Sequence, residues 1–209
     1  MAMRGEPDVQ HAGTPVDVVV FDLDDTLVDH RGSAGRALAT WLPILDVPCV
    51  ASVVAAWFEV EERHFARWRG GEITFAEQRR ARLRELLPPE LTAGSAESLD
   101  QLFADYLVHY ERAWYPFPDA LRCLRAVRGT GRPVAVLTNG PAAQQNRKVL
   151  ATGLAAEVDA VFTSEGVGAA KPHRAAFDAV ADALAVQAAR APYVGDSLVV
   201  DHRGAVGAG

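Results

Sequence analysis

Three aspartates fall within four residues inside the stretch VVVFDLDDTLVDH, residues 18–30: Asp22, Asp24 and Asp25. Carboxylates this close repel, and burying them is costly unless a cation or a proton offsets the charge. Asp22 and Asp24 are two apart, so in extended backbone both side chains point to one side. Other polar residues follow apolar runs further along. Thr138 and Asn139 end RPVAVLTN, Lys171 opens KPHRAAF, and Asp196, Ser197 and Asp201 lie in GDSLVVD. These residue types suit phosphoryl transfer. Grouped carboxylates favour a hard divalent cation such as Mg²⁺, which binds one or two carboxylates plus waters and phosphate oxygens. A lysine ammonium and a threonine hydroxyl can hold phosphate oxygens. A carboxylate can also be the nucleophile, forming an aspartyl-phosphate.

The elements that must position these groups are legible as four apolar runs: VDVVVFDL (16–23), RPVAVLTN (132–139), VDAVFTSE (158–165) and APYVGDS (191–197). Short, Val-rich and continuous runs suit strands buried on both faces of a parallel sheet. Between the later runs lie helical patterns. DALRCLRAVRG spaces Leu121, Leu124 and Val127 before Gly129, and AAQQNRKVLATG and HRAAFDAVADAL follow. This alternation predicts an α/β fold with a doubly wound, Rossmann-like parallel sheet. Ligands of such sheets bind outside the carboxyl ends of the strands, where the polar residues fall.

One interval breaks the alternation. Residues 31–113 carry helical spacing and no convincing strand, punctuated by Pro43, Pro48, Gly70-Gly71 and Pro88-Pro89. Thr74 followed by Glu77 reads as a capping box. The expected organisation is a disordered tail (1–15), a core (16–30 and 114–209) and an inserted helical cap (31–113). Trp41, Trp57, Trp68 and Trp114 fall in or beside the insertion and are expected to pack its helices. Its basic cluster RRARLRE holds Arg79, Arg80, Arg82 and Arg84. Such a run is usually a solvated face, and Glu77, Glu85 and Glu90 neutralise part of it. Arg79 and Arg80 are the candidates for contact with an anionic substrate.

The chain has 209 residues, 49% hydrophobic, with net charge −6. That balance gives no support for a nucleic-acid or anionic-membrane surface. No apolar run approaches the roughly 20 residues of a membrane span. The N-terminal stretch lacks the apolar segment of a secretory signal, so a cytoplasmic protein is expected. Cys49 and Cys123 have no metal spacing and read as reduced core thiols. None of the six histidines has metal-ligand spacing; His30 and His202 lie near motifs and could line the site, but read first as ordinary histidines.

Taken in order, DLDDT, LTNG, Lys171-Pro172 and GDSLVVD resemble the four motifs of the haloacid dehalogenase-like (HAD) hydrolase superfamily. The resemblance runs from about residue 16 to the end of the chain, and an insertion straight after the first motif is similar to the cap of subfamily I. It implies a Mg²⁺-dependent phosphatase of a small phosphorylated metabolite. Asp22 would attack phosphorus, and Asp24 would protonate the leaving oxygen and then deprotonate water. Thr138 and Asn139 would hold the phosphoryl group, and Lys171 would stabilise its charge. Asp22, Asp24 (through its main-chain carbonyl) and Asp196 would hold Mg²⁺. Asp201 and Ser197 would stand behind them, Asp201 orienting Lys171 or a metal-bound water. Asp25 would shape the turn. Two alternatives stay open: a phosphomutase of the same fold, and a phospho-accepting signalling module similar to a receiver domain. Members of the family usually continue past GDSLVVDHRGAVGAG into a further strand and helix, so an exposed sheet edge is expected there.

Overall fold

The computed structural model describes residues 15–209. The expected tail, residues 1–15, lies outside the described residues but for Pro15. Four strands form where the apolar runs stand: β1 (Val19–Phe21), β2 (Val134–Thr138), β3 (Ala160–Thr163) and β4 (Tyr193–Val194). They make one parallel sheet in the order β3-β2-β1-β4, with Val20 opposite both Ala135 of β2 and Tyr193 of β4. β4 is an edge, and Val194 on it is exposed.

Between β1 and β2 the chain is helical almost throughout. α1 (His30–Trp41), α2 (Ala51–Arg69), α3 (Phe75–Leu86), α4 (Pro89–Thr92) and α5 (Ala96–Arg112) form the insertion. Local chemistry sets its boundaries. Asp29 caps α1 by accepting from the Gly32 N–H, and the Thr74–Glu77 capping box opens α3 as the sequence predicts. Trp41 and Trp57 are buried with Leu38, Leu83, Leu99, Phe103 and Tyr106, so the insertion has its own apolar centre. Trp68 packs edge-on against Phe65 and Phe75 instead.

The rest of the chain supplies α6 (Ala120–Arg128), α7 (Ala142–Ala151), α8 (Ser164–Val167), α9 (Arg174–Leu184) and α10 (Arg203–Ala208). Alternate strand residues go to opposite faces of the sheet. Phe21, Val134 and Val136 pack with Leu124 of α6 and Val149 of α7. Val20, Ala135 and Leu137 pack with Ala176, Phe177 and Val180 of α9 and Ala208 of α10. Both faces are covered, which is why the strands read as continuous apolar runs. The cysteine expectation needs correction. Both thiols are free, but Cys123 lies exposed on the outer side of α6 and Cys49 is only half-buried.

Candidate active site

The carboxyl ends of the strands and the inner side of the insertion enclose a cavity of about 300 Å³. Its floor begins where β1 ends. The chain turns sharply there: Asp25 takes a left-handed φ of 58° and its carboxylate accepts from the Arg31 N–H. Asp25 thus shapes the turn, and short polar side chains tolerate that conformation best.

Two buried lysines divide the floor. On the β4 side, Lys171 Nζ donates to Asp22 Oδ1 at 2.6 Å, to Asp201 Oδ1 at 2.7 Å and to the Tyr193 hydroxyl at 2.6 Å. Asp201 also accepts from the Ser197 N–H, at the start of the π-helical turn Leu198–His202. Gly195 makes room for it: a Cβ there would sit 2.5 Å from the Asp201 carboxyl carbon. Asp22, Asp196 and Asp201 each bring a carboxylate oxygen within 4.8 Å of the others. One ammonium does not balance this group. Burial, with Asp201 beside it, pushes the Asp22 carboxyl up to about 7 despite Lys171. Burial and Asp201 likewise raise Asp196, while Asp22 and Asp201 hold Lys171 above its usual value against its own burial.

The other side is built by α7. Lys148 Nζ donates to Asp24 Oδ1 at 2.5 Å, and Gln145 Nε2 donates to Asp24 Oδ2 at 3.0 Å. Gln145 also donates to Thr138 Oγ1 at 2.6 Å. Burial alone would raise Asp24, but Lys148, with His30 nearby, holds its carboxyl below the usual value. The Asp24 carboxylate turns toward α7, so the carboxylates grouped on the other side are those of Asp22, Asp196 and Asp201. The expected metal set uses Asp24 through its main-chain carbonyl. Asn139 braces the third motif: its Nδ2 donates to the Lys171 carbonyl and its Oδ1 accepts from the Lys171 N–H, both at 2.9 Å.

The wall comes from the insertion. Phe58, Phe65, Phe75 and Phe103 line it with Gln78, Arg79 and Arg82. Arg79 lies over the Phe75 and Phe103 rings and donates to Gln144; burial, with Arg82 beside it, lowers it to about 10. Arg80 makes a two-pronged pair with Asp100 and is not among the cavity-lining residues, because α3 turns it about 100° from Arg79. His30 lies in the cavity lining, 2.7 Å from the Tyr110 hydroxyl and 3.2 Å from Glu61, while His202 is exposed.

Sequence reasoning missed Lys148, Gln145, Glu61 and Tyr110. A signal existed for two of them. Gln145, Lys148 and Val149 share the buried face of α7, and a lysine at the apolar period of a helix needs a partner.

A family model for haloacid dehalogenase-like hydrolases matches residues 16–209. The chain belongs to that family. Among HAD-like relatives, a pyrimidine 5'-nucleotidase of Escherichia coli, YjjG, is 37% identical over 95 residues, covering 45% of this chain and 42% of that enzyme. The chain thus matches about two fifths of that relative's length. A ribulose-1,5-bisphosphate 5-phosphatase of Halopiger xanaduensis is 31% identical over 192 residues, covering 90% of this chain and 79% of that enzyme. Among solved HAD-like structures, the HAD-hydrolase YfnB of Bacillus subtilis, bound to magnesium, superposes with a TM-score of 0.82 at 22% identity, covering 94% of this chain and 86% of that one. A 2-haloacid dehalogenase of Pseudomonas syringae gives a TM-score of 0.63 at 27% identity, covering 93% and 84%.

Proposed function

We propose that this chain is a Mg²⁺-dependent phosphatase that hydrolyses a small phosphorylated metabolite through an aspartyl-phosphate on Asp22, with residues 31–113 as its cap. The observation that carries this is the floor: three carboxylates within 4.8 Å of one another and one buried ammonium among them. The shortfall of positive charge, and an Asp22 carboxyl raised by burial with Asp201 beside it, suit a hard divalent cation. Asp22 and Asp196, with the main-chain carbonyl of Asp24, would hold it, and Asp201 would orient Lys171. When bound, Mg²⁺ neutralises the carboxylates and the phosphate oxygens.

In the first half-reaction an Asp22 oxygen bonds to phosphorus, the bond to the leaving oxygen breaks, and Asp24 gives that oxygen a proton. In the second, Asp24 takes a proton from water, the water oxygen bonds to phosphorus, and the acyl-phosphate bond breaks. Inorganic phosphate leaves and Asp22 is restored. One carboxyl serves both halves because each needs what the other leaves behind. Lys171 stabilises charge at Asp22 and on the phosphoryl oxygens, and Thr138 donates to them. Asp24 also favours this reading over dehalogenation, since a halide departs without a proton. Relatives named as a pyrimidine 5'-nucleotidase and a ribulose-1,5-bisphosphate 5-phosphatase support a phosphomonoester substrate.

The test is a phosphomonoester panel assayed with and without Mg²⁺, beside Asp22→Asn. Phosphate release that needs both Mg²⁺ and Asp22 is the expected result. Equal turnover without Mg²⁺, or an active Asp22→Asn, overturns the mechanism. Turnover that requires a bisphosphate activator points to a mutase instead.

A further inference from the structure

We propose that Lys148 is the residue that positions Asp24 for proton transfer, and that Tyr110 ties this position to the seating of the helical insertion. The inference rests on the acid/base role of Asp24, and it concerns a lysine that the reaction scheme above does not use.

The geometry begins with what Asp24 needs. Its carboxyl must reach the leaving oxygen in one half-reaction and a water in the next. Two residues one helical turn apart on α7 hold it from both oxygens. Lys148 Nζ binds Oδ1 at 2.5 Å and Gln145 Nε2 binds Oδ2 at 3.0 Å. Both donors are rigid, since Lys148 is 1% exposed and Gln145 2%. Gln145 is itself fixed by Thr138 Oγ1 at 2.6 Å. A fully buried ammonium is costly unless paired, and Asp24 is the one carboxylate paired with Lys148 among the described residues.

Lys148 is held in turn by the insertion. Its Nζ donates to the Tyr110 hydroxyl of α5 at 3.1 Å and lies 5.2 Å from the centre of the Tyr110 ring and 5.5 Å from that of Trp114. The Tyr110 hydroxyl lies 2.7 Å from His30 Nδ1, His30 Nε2 lies 3.2 Å from Glu61, and Glu61 pairs with Arg82 at 3.0 Å. A continuous run of contacts therefore leads from α2 and α3 to the Asp24 carboxylate. Lys171 approaches Asp22 from the β4 side and takes no part in this run. Lys148 is thus a positioning residue: it touches Asp24 rather than the phosphoryl site.

A positioning role leaves a signature that a merely structural one does not. An ester with a good leaving group, such as p-nitrophenyl phosphate, needs little help from an acid, whereas an alkyl phosphate needs it fully. With the full chain and Mg²⁺, Lys148→Met is expected to lower kcat for an alkyl phosphate by about 10²-fold. Its kcat for p-nitrophenyl phosphate should fall much less, and KM for both should change little. Tyr110→Phe, which keeps the ring and loses only the hydroxyl, should shift the same ratio in the same direction by less. Adding Lys148→Met to Asp24→Asn should cost nothing further, because the two act as one unit. Equal losses on both esters in Lys148→Met, or in Tyr110→Phe should the first variant fail to fold, overturn the proposal if Asp24→Asn remains selective. If Asp24→Asn is itself unselective, the acid role fails, and this proposal with it.

Discussion

Two lysine–aspartate pairs lie side by side at the end of β1, and their carboxyls move in opposite directions. Lys171 is shared between Asp22 and Asp201, with Asp196 near, and the Asp22 carboxyl rises to about 7. Lys148 pairs with Asp24 alone, with His30 behind it, and that carboxyl is lowered. Burial pushes both upward, so the difference is the ratio of carboxylates to ammonium groups. The Lys171 side is short of positive charge and suits a metal and a phosphate. The Lys148 side is balanced as it stands, which suits a carboxyl that must keep one geometry.

The largest expected effect comes from breaking the unbalanced side. Asp22→Asn should lower turnover by at least about 10⁴-fold, as loss of a covalent nucleophile does. Without Mg²⁺ it should not lose stability, because one of three crowded carboxylates is gone. Phosphate-release kinetics and urea midpoints read both. A clear loss of Mg²⁺-free stability would mean that Lys171 already balances its cluster, and the contrast would fall.

The network behind Asp24 should respond to pH with the opposite sign from Asp22. Burial works against the Glu61 charge, but Arg82 and His30 draw that carboxyl down to about 2. Its stabilisation is therefore present above its ordinary 4.5 and is lost as pH falls toward 2. The drop corresponds to a contribution on the order of 3 kcal/mol. His30 is raised, chiefly by Glu61 against burial, so its share is full below 6.5 and is lost as pH rises through the raised value. Asp22 runs the other way for a carboxyl: Mg²⁺-free protein should lose stability as pH climbs from about 4 to 7. Glu61→Gln should cost most near pH 5.5, much less as pH falls toward 2, and only somewhat less above the raised His30 value, where the pair with Arg82 persists. Urea unfolding across pH tests this, and a pH-independent cost would sink it.

Mg²⁺ sharpens the contrast at slightly smaller scale. At about 100 times its dissociation constant it should add about 2.7 kcal/mol of stability. The gain should shrink in Asp196→Asn and persist in Lys148→Met, as thermal melts with and without Mg²⁺ would register. A Lys148 variant that lost the gain would join the two sides into one site.

How far the sequence carried these assignments depended on what kind of contact each residue makes. Asp22, Thr138 and Asp196 stand at or just past the ends of apolar strands, with Lys171 and Asp201 in the segments that follow, and strand ends are readable because an apolar run stops there. The insertion was legible as helices for the same reason: proline and glycine pairs and a capping box mark its boundaries. The partners of Lys148 and Glu61 were not legible, since Asp24 and His30 lie 124 and 31 residues away from them. Two-residue spacing points both carboxylates to one side, whereas the turn at Asp25 lets α7 draw the Asp24 carboxylate aside.

The smallest effect separates two neighbours on one helix. Arg79 and Arg80 are adjacent, so α3 sends them about 100° apart, and only Arg79 reaches the cavity. Arg79 is half-buried over two aromatic rings with an amide as its hydrogen-bond partner, so its charge is available to an anionic group beyond the phosphoryl. Arg80 is already spent on Asp100 near solvent. Arg79→Ala should therefore raise KM about tenfold for substrates bearing a second anionic group and leave p-nitrophenyl phosphate nearly untouched. Arg80→Ala should change kcat/KM on any substrate by less than about twofold, as a surface substitution does. A substrate ranking that moves with Arg80 and not with Arg79 would mean that the insertion meets its substrate on the face of α3 turned away from the floor.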